Sequence, residues 1–354
     1  MTTVVWSPVT RLHDPRGEVW VGVATPGTEV AERVDRILDA VRQAGHEVVE
    51  ADRHDDDVLL AVHEEAFVRH LESSHAAWME SGIPELVGQD RVVPYMFATA
   101  AMLGELPGQL PSAVHARAGW YCYDTMTLVG PGTWKAARAA VDCALTAVAL
   151  LRSGHTSAYA LCRPPGHHVT RAAYGGSCYL NNAAVAAQAL RAAGHGQVAI
   201  VDIDAHHGNG TAALFYDRAD VFYGSVHVDV SAGWFPHVVG HAAETGTGQG
   251  AGMTCNLPLP PETGDGPWLR AVQTLADRVR SCGAGALVVS LGVDAAADDP
   301  ESPLRVSLEG YREAGRLLGE LGLPTVAVQE GGYHLPSLGG LVSAFLDGLD
   351  GLGD

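Results

Sequence analysis

Eight short apolar runs, interleaved with longer segments whose apolar residues recur at helical spacing, constrain this 354-residue chain more than any other feature. The runs cover residues 4–6, 47–50, 159–163, 198–203, 221–226, 254–259, 287–291 and 325–328. Between them, Val30, Val34, Ile37, Leu38 and Val41 share one helical face that stops at Gly45, and another amphipathic stretch starts at Ser307 and ends at Gly322. Strand–helix–strand alternation predicts a mostly parallel sheet with helices on both faces, an α/β class. The length permits one large domain or two. With 47% hydrophobic and 18% charged residues, the chain has the profile of a packed globular protein.

Composition also narrows the partners. The formal charge of 22 − 41 = −19 repels polyanions, so nucleic acid is not expected, while small cations are drawn in. The most apolar stretch, residues 136–151, is interrupted by Arg138 and Asp142, and the start of the chain lacks a basic-then-apolar leader. A soluble, cytoplasmic protein with no membrane partner is expected. The six cysteines form no CxxC pair and read as buried free thiols. The acidic DRHDDD stretch (52–57) reads as a solvated loop, and residues 81–119, poor in periodicity, read as a long excursion from the core.

In a parallel α/β sheet, ligands sit beyond the carboxyl ends of the strands, and four of the runs deliver polar groups there. AYALCRPPGHH ends in His167 and His168, and VAIVDIDAHHGNG carries Asp202, Asp204, His206 and His207. ALVVSLGVD ends in Asp294, and PTVAVQEGGYH carries Glu330, Tyr333 and His334. Burying so many carboxylates without compensation costs several kcal/mol each, which hydrogen bonds or a metal must offset. Any one ending alone reads as a satisfied hydrogen-bonded cluster; the four together point to metal. Asp204 and His206, two apart, face the same way on an extended chain, and with Asp294 they make a donor set suited to a borderline divalent ion such as Zn²⁺. Two imidazoles near neutral pKa, His167 and His168, can take a proton from water and give one to a leaving amine. Asp202 and Asn209 are placed to orient them. Tyr333, in a Gly-Gly-Tyr turn, can donate to a developing oxyanion.

RPPGHH (163–168), GGSCYLNNAAVAAQ (175–188), DIDAHHGNGT (202–211), SLGVD (290–294) and EGGY (330–333) closely resemble the histone deacetylase superfamily, most of all its bacterial acetylpolyamine amidohydrolase branch. GWYCYDTMTLVGPGTWKAA (119–137) and FPHVVGHAAETGTGQGAG (235–252) extend the resemblance. It implies the arginase/deacetylase fold, one α/β domain over residues 1–354 with an eight-stranded parallel sheet, and hydrolysis of an N-acetyl amide with one Zn²⁺. On this pattern Asp204, His206 and Asp294 hold the metal. His168 is the general base, His167 stabilises charge or protonates the amine, Tyr333 polarises the carbonyl, and Asp202 and Asn209 hold the histidines. Asp202, Asp204, His206 and Ser225 resemble an internal monovalent-cation site, commonly K⁺. Gly176 and Phe235 match the channel walls. The bacterial relatives also imply a homodimer, with residues 81–119 near the active-site mouth.

Two positions depart from the pattern: Ser177 replaces an aromatic of the channel wall, and His115 stands where polyamine-cleaving relatives carry an acid. Glu301, in DDPE, falls at a rim position where polyamine-selective relatives also have glutamate. Together with the −19 charge it points to a small cationic N-acetylated amine such as an acetylpolyamine. A protein N-acetyl-lysine deacetylase and a deacetylase of a specialised small-molecule amide are the alternatives. A two-Mn²⁺ ureohydrolase lacks its second ligand set, because Gly208 and Gly292 replace the acids it needs. A non-catalytic binding protein has no use for Tyr333, His167 and His168 together.

Overall fold

A computed structural model describes residues 1–352. Ten strands form: β1 (Thr3–Trp6), β2 (Glu18–Trp20), β3 (Val23–Thr25), β4 (Val48–Glu50), β5 (Ser157–Ala160), β6 (Val198–Asp202), β7 (Val221–Val228), β8 (Thr254–Leu259), β9 (Ala286–Leu291) and β10 (Thr325–Gln329). Eight of them build one sheet in the order β4-β1-β5-β10-β9-β6-β7-β8, every neighbouring pair parallel. These eight correspond to the eight apolar runs, because a strand covered on both faces must be apolar throughout. β6, β9 and β10 are buried at every position.

Period-two alternation sorts their side chains into two cores. Val198, Ile200, Val288, Val326 and Val328 pack with the helices Thr133–Arg152 and Asn182–Ala192. Ala199, Val201, Leu287, Val289 and Ala327 face the opposite way, toward Glu32–Gln43, Asp265–Cys282, Leu308–Gly319 and Leu335–Leu349. No described helix is long and apolar enough to cross a membrane.

Three details differ from the sequence expectation. β5 ends at Ala160 rather than 163, because the Cys162 N–H turns back to the Ala160 carbonyl and the chain leaves the sheet. β2 and β3 form a separate antiparallel hairpin that none of the eight apolar runs includes. Its turn residues, Val21 (φ 51°) and Gly22 (φ 79°), both take positive φ. Residues 81–119 hold two short helices, Ile83–Val87 and Ala100–Leu103, and most of a third, Val114–Tyr121, all too brief to show periodicity. The acidic loop at 52–57 is largely exposed, and it docks through Arg138, which bonds Asp56 (2.8 Å), Asp142 (2.7 Å) and the His54 carbonyl (2.6 Å). That contact explains why Arg138 and Asp142 interrupt the apolar helix.

Candidate active site and metal centre

β5, β10, β9, β6 and β7 are consecutive in the middle of the sheet, and the segments leaving their carboxyl ends converge. Asp204 and His206 follow β6, and Asp294 follows β9. His206 Nδ1 lies 3.2 Å from Asp204 Oδ1 and 3.0 Å from Asp294 Oδ2, and one donor atom from each of the three falls within 4.8 Å of the others. Both carboxylates are buried. Burial pushes Asp294 up to about 7, with the Asp204 charge adding to it, while Asp204 is held below the carboxylate range by His167 and His206 against its own burial. His206 is raised despite burial because the same two carboxylates accept from it. Two buried carboxylates facing one imidazole make a donor set that fits Zn²⁺. Gly292 makes the room: a Cβ there would stand 2.0 Å from Asp204 Oδ2.

The two histidines lie beside this cluster with ring centroids 4.0 Å apart. His167 Nδ1 donates to Asp202 Oδ2 at 3.0 Å, and His168 Nδ1 to Asn209 Oδ1 at 2.7 Å. Burial lowers both imidazoles, but the Asp204 and Asp202 carboxylates lift His167 to about 10, whereas the charges of His167 and His206 press His168 further down. One ring holds its proton and the other keeps a free lone pair at Nε2. Behind them Glu330, following β10, accepts from the backbone N–H groups of Gly166 (2.7 Å) and His167 (3.1 Å) and fixes that loop.

Tyr333 is partly buried, and burial holds its phenol protonated. The Arg33 guanidinium lies 4.7 Å over the Tyr333 ring and donates to the carbonyls of Gly332 (2.7 Å) and Glu330 (2.6 Å). Glu29 bonds both Arg33 (2.9 Å) and Arg163 (2.8 Å), so one buried carboxylate ties the histidine loop to the tyrosine loop. Ser225 is the parallel-register partner of Asp202, and its Oγ is 2.8 Å from His227 Nδ1.

A pocket of about 460 Å³ opens onto His168, His206 and Tyr333 and is walled by Gly176, Ser177, Trp234 and Phe235. Gly176 (φ 60°) lets Phe235 stand edge-on to His168 at 4.7 Å, since a Cβ would come within 2.4 Å of the imidazole. Ser177 leaves its side of the wall without an aromatic, and the Tyr123 ring lies parallel to Phe235 at 6.4 Å. Glu301, Glu18 and Trp20 also line the pocket. Burial raises the Glu18 carboxyl, and the Glu301 charge raises it further. His115 is not among the lining residues; it lies on Val114–Tyr121 beside Tyr95, ring centroids 5.8 Å apart. A second concavity of about 520 Å³, around Arg171, Phe215 and Arg218, shares no residue with this pocket.

Sequence reasoning missed Glu18, Glu29, Arg33 and Asp299. A signal existed for two of them: Glu29 and Arg33 continue, at i and i+4, the face that carries Ile37, and charges on an apolar stripe need buried partners.

The histone deacetylase domain family matches residues 27–349. Acetylpolyamine amidohydrolase of Mycoplana ramosa is 38% identical over 349 residues, covering 98% of this chain and 99% of the relative. Acetylpolyamine amidohydrolase of Burkholderia pseudomallei is 40% identical over 345 residues, 98% of each chain. The crystal structure of the B. pseudomallei acetylpolyamine aminohydrolase superposes with a TM-score of 0.93, covering 99% of both chains at 40% identity.

Proposed function

Because the chain belongs to the histone deacetylase family and has its arginase/deacetylase fold, we propose that it is a zinc-dependent amidohydrolase removing acetyl groups from small cationic N-acetylated amines of the acetylpolyamine class. The observation that carries this reading is the mouth. Two carboxylates, Glu18 and Glu301, line the same pocket as His168 and Tyr333, so a cationic tail at the rim would place its acetyl group at the histidines.

Asp204, His206 and Asp294 are assigned as the Zn²⁺ ligands, and the ion supplies Lewis acidity toward the amide carbonyl and toward water. His168, with Nδ1–H committed to Asn209, takes the proton of the attacking water at Nε2. His167, oriented by Asp202, carries a proton at Nε2 that the departing amine nitrogen receives. Tyr333 donates its phenol proton in a hydrogen bond to the carbonyl oxygen as negative charge grows there. Asp202, Ser225 and the backbone at Asp204 and His206 are assigned to a structural K⁺.

A homodimer is part of the proposal, since Leu86, Val87, Tyr95, Met102 and Leu106 expose apolar surface on the 81–119 excursion. Residues 81–119 line no part of the pocket of their own chain, so we assign the excursion, His115 included, to the mouth of the second copy. All six cysteines are free, which suits the cytoplasm. Ser177 favours a second reading, a bulkier specialised amide, because the wall it leaves is small and polar.

The deciding experiment is amine release by the purified protein from acetylputrescine, acetylspermidine, acetylcadaverine and an acetyl-lysine peptide, with and without chelator and added Zn²⁺. Turnover of the free acetylamines, lost to chelator and restored by Zn²⁺, is expected. Preference for the peptide would make this a protein deacetylase, and turnover of none by the metal-loaded protein would move the substrate to a specialised amide.

A further inference from the structure

Asp299 lies in the loop after β9, five residues beyond Asp294, and is 7% exposed. Its two carboxylate oxygens serve different parts of the site. Oδ2 accepts from the backbone N–H groups of Tyr333 (2.6 Å) and His334 (3.1 Å), while Oδ1 accepts from the N–H of Glu301 (3.0 Å). The Glu301 side chain is held in turn by the Thr28 hydroxyl (2.7 Å). Tyr333 lies under Arg33, which bonds Glu29, the neighbour of Thr28 in the chain. Thr28, Glu301, Asp299, Tyr333, Arg33 and Glu29 therefore close a ring of contacts around one side of the pocket.

We propose that Asp299 is a positioning residue that locks the rim carboxylate Glu301 and the phenol of Tyr333 into one unit, so that recognition of the substrate's cationic tail and polarisation of its acetyl carbonyl depend on one side chain. The inference rests on the deacetylase reading above. Only a carboxylate satisfies the arrangement, because three N–H donors approach from two sides and both oxygens must accept. In Asp299→Asn the amide NH₂ would face an N–H on one side, and because the rim and the tyrosine loop share this one side chain, the turn or shift that follows loosens both.

The test compares acetylputrescine with N-pentylacetamide, its uncharged isostere, in D299N, E301Q, Y333F and the D299N/E301Q and D299N/Y333F pairs. D299N is expected to lower the charged-over-neutral kcat/KM ratio by about as much as E301Q, roughly fivefold, with no further loss in the pair. It is also expected to lower kcat on the neutral amide about tenfold, a loss absent from the Y333F background. An unchanged ratio, or losses that multiply in the pairs, would overturn the proposal. Amide exchange on the metal-free protein gives a readout independent of turnover: in D299N the Glu301, Tyr333 and His334 amides should exchange faster together. If D299N does not fold, Thr28→Val replaces it; acceleration at both Glu301 and Tyr333 supports the coupling, and acceleration at Glu301 alone defeats it. If wild-type protein shows no preference for acetylputrescine, the cationic-substrate reading fails, while the exchange and Y333F arms still decide the role of Asp299.

Discussion

The floor of the pocket and its mouth are built by different rules. The carboxylates and imidazoles on the floor are held by one another or by the backbone: His167 by Asp202, His168 by Asn209, Asp204 by His206, and Glu330 by the backbone of the histidine loop. The mouth is made of a three-residue-per-strand hairpin, the loop around Trp234 and Phe235, and a rim carboxylate, all partly or fully exposed. Chemistry requires charges aimed within fractions of an ångström, which buried hydrogen bonds supply. Selectivity for a tail requires only a charge of the right sign at the right distance, which an exposed loop can carry.

Interference with the floor should therefore abolish turnover, while interference with the mouth should re-rank substrates. The largest effect is expected from metal removal: chelation, or Asp294→Ala, should eliminate measurable amine release, with zinc content by elemental analysis falling in parallel. Next, Tyr333→Phe should lower kcat by about 10²–10³ with KM little changed, as for loss of one oxyanion donor. A comparable loss in KM alone would place Tyr333 in binding instead.

A third expectation concerns stability. His63 is fully buried, donates from Nδ1 to the Thr170 carbonyl (3.0 Å) and accepts the Asn181 N–H at Nε2 (3.0 Å), an arrangement that only the neutral ring can make. Burial brings its pKa down to about 4. Between about 6.5 and 4 the unfolded chain binds a proton that the folded chain refuses, so stability is full above this window and falls as pH drops through it. The single group accounts for roughly 3 kcal/mol across the window. Thermal unfolding of wild type and His63→Gln between pH 7.5 and 4.5 checks this; an equally steep fall in both would remove His63 from the account.

At the mouth the effects shrink. Glu18→Gln should cost about 1 kcal/mol in binding a cationic tail, roughly a fivefold rise in KM for acetylputrescine at unchanged kcat. Leu106→Glu should split the proposed homodimer into monomers in sedimentation, with kcat changing least of all.

The same contrast decided what could be read from the residues alone. The eight core strands were legible because burial on both faces leaves an unbroken apolar signature, and the polar groups at their ends stand out against it. Asp202, Asp204, His206 and Asn209 lie within eight residues of one another, so their association is visible along the chain. The burial of Arg33 could be read from its place on an apolar stripe but its partner could not, since the Gly332 carbonyl it bonds is 299 residues away. Glu29 meets Arg163 across 134 residues. Asp299 sat inside a quoted motif, but nothing in DDPE tells which of its acids turns inward. The β2–β3 hairpin was lost because three residues per strand cannot display a period, and residues 81–119 because one- and two-turn helices cannot either.

That hairpin joins the body of the molecule near its middle through the Val19 N–H to the Thr125 carbonyl (3.2 Å) and the Thr125 hydroxyl to the Val19 carbonyl (2.6 Å). It contributes Glu18 and Trp20 to the pocket but none of the hydrophobic core. For a lineage duplicating this gene, the codons of Glu18 and Trp20 are thus open to drift at little cost to folding. A daughter copy could inherit the hydrolytic machinery intact and acquire a new diet within a handful of substitutions.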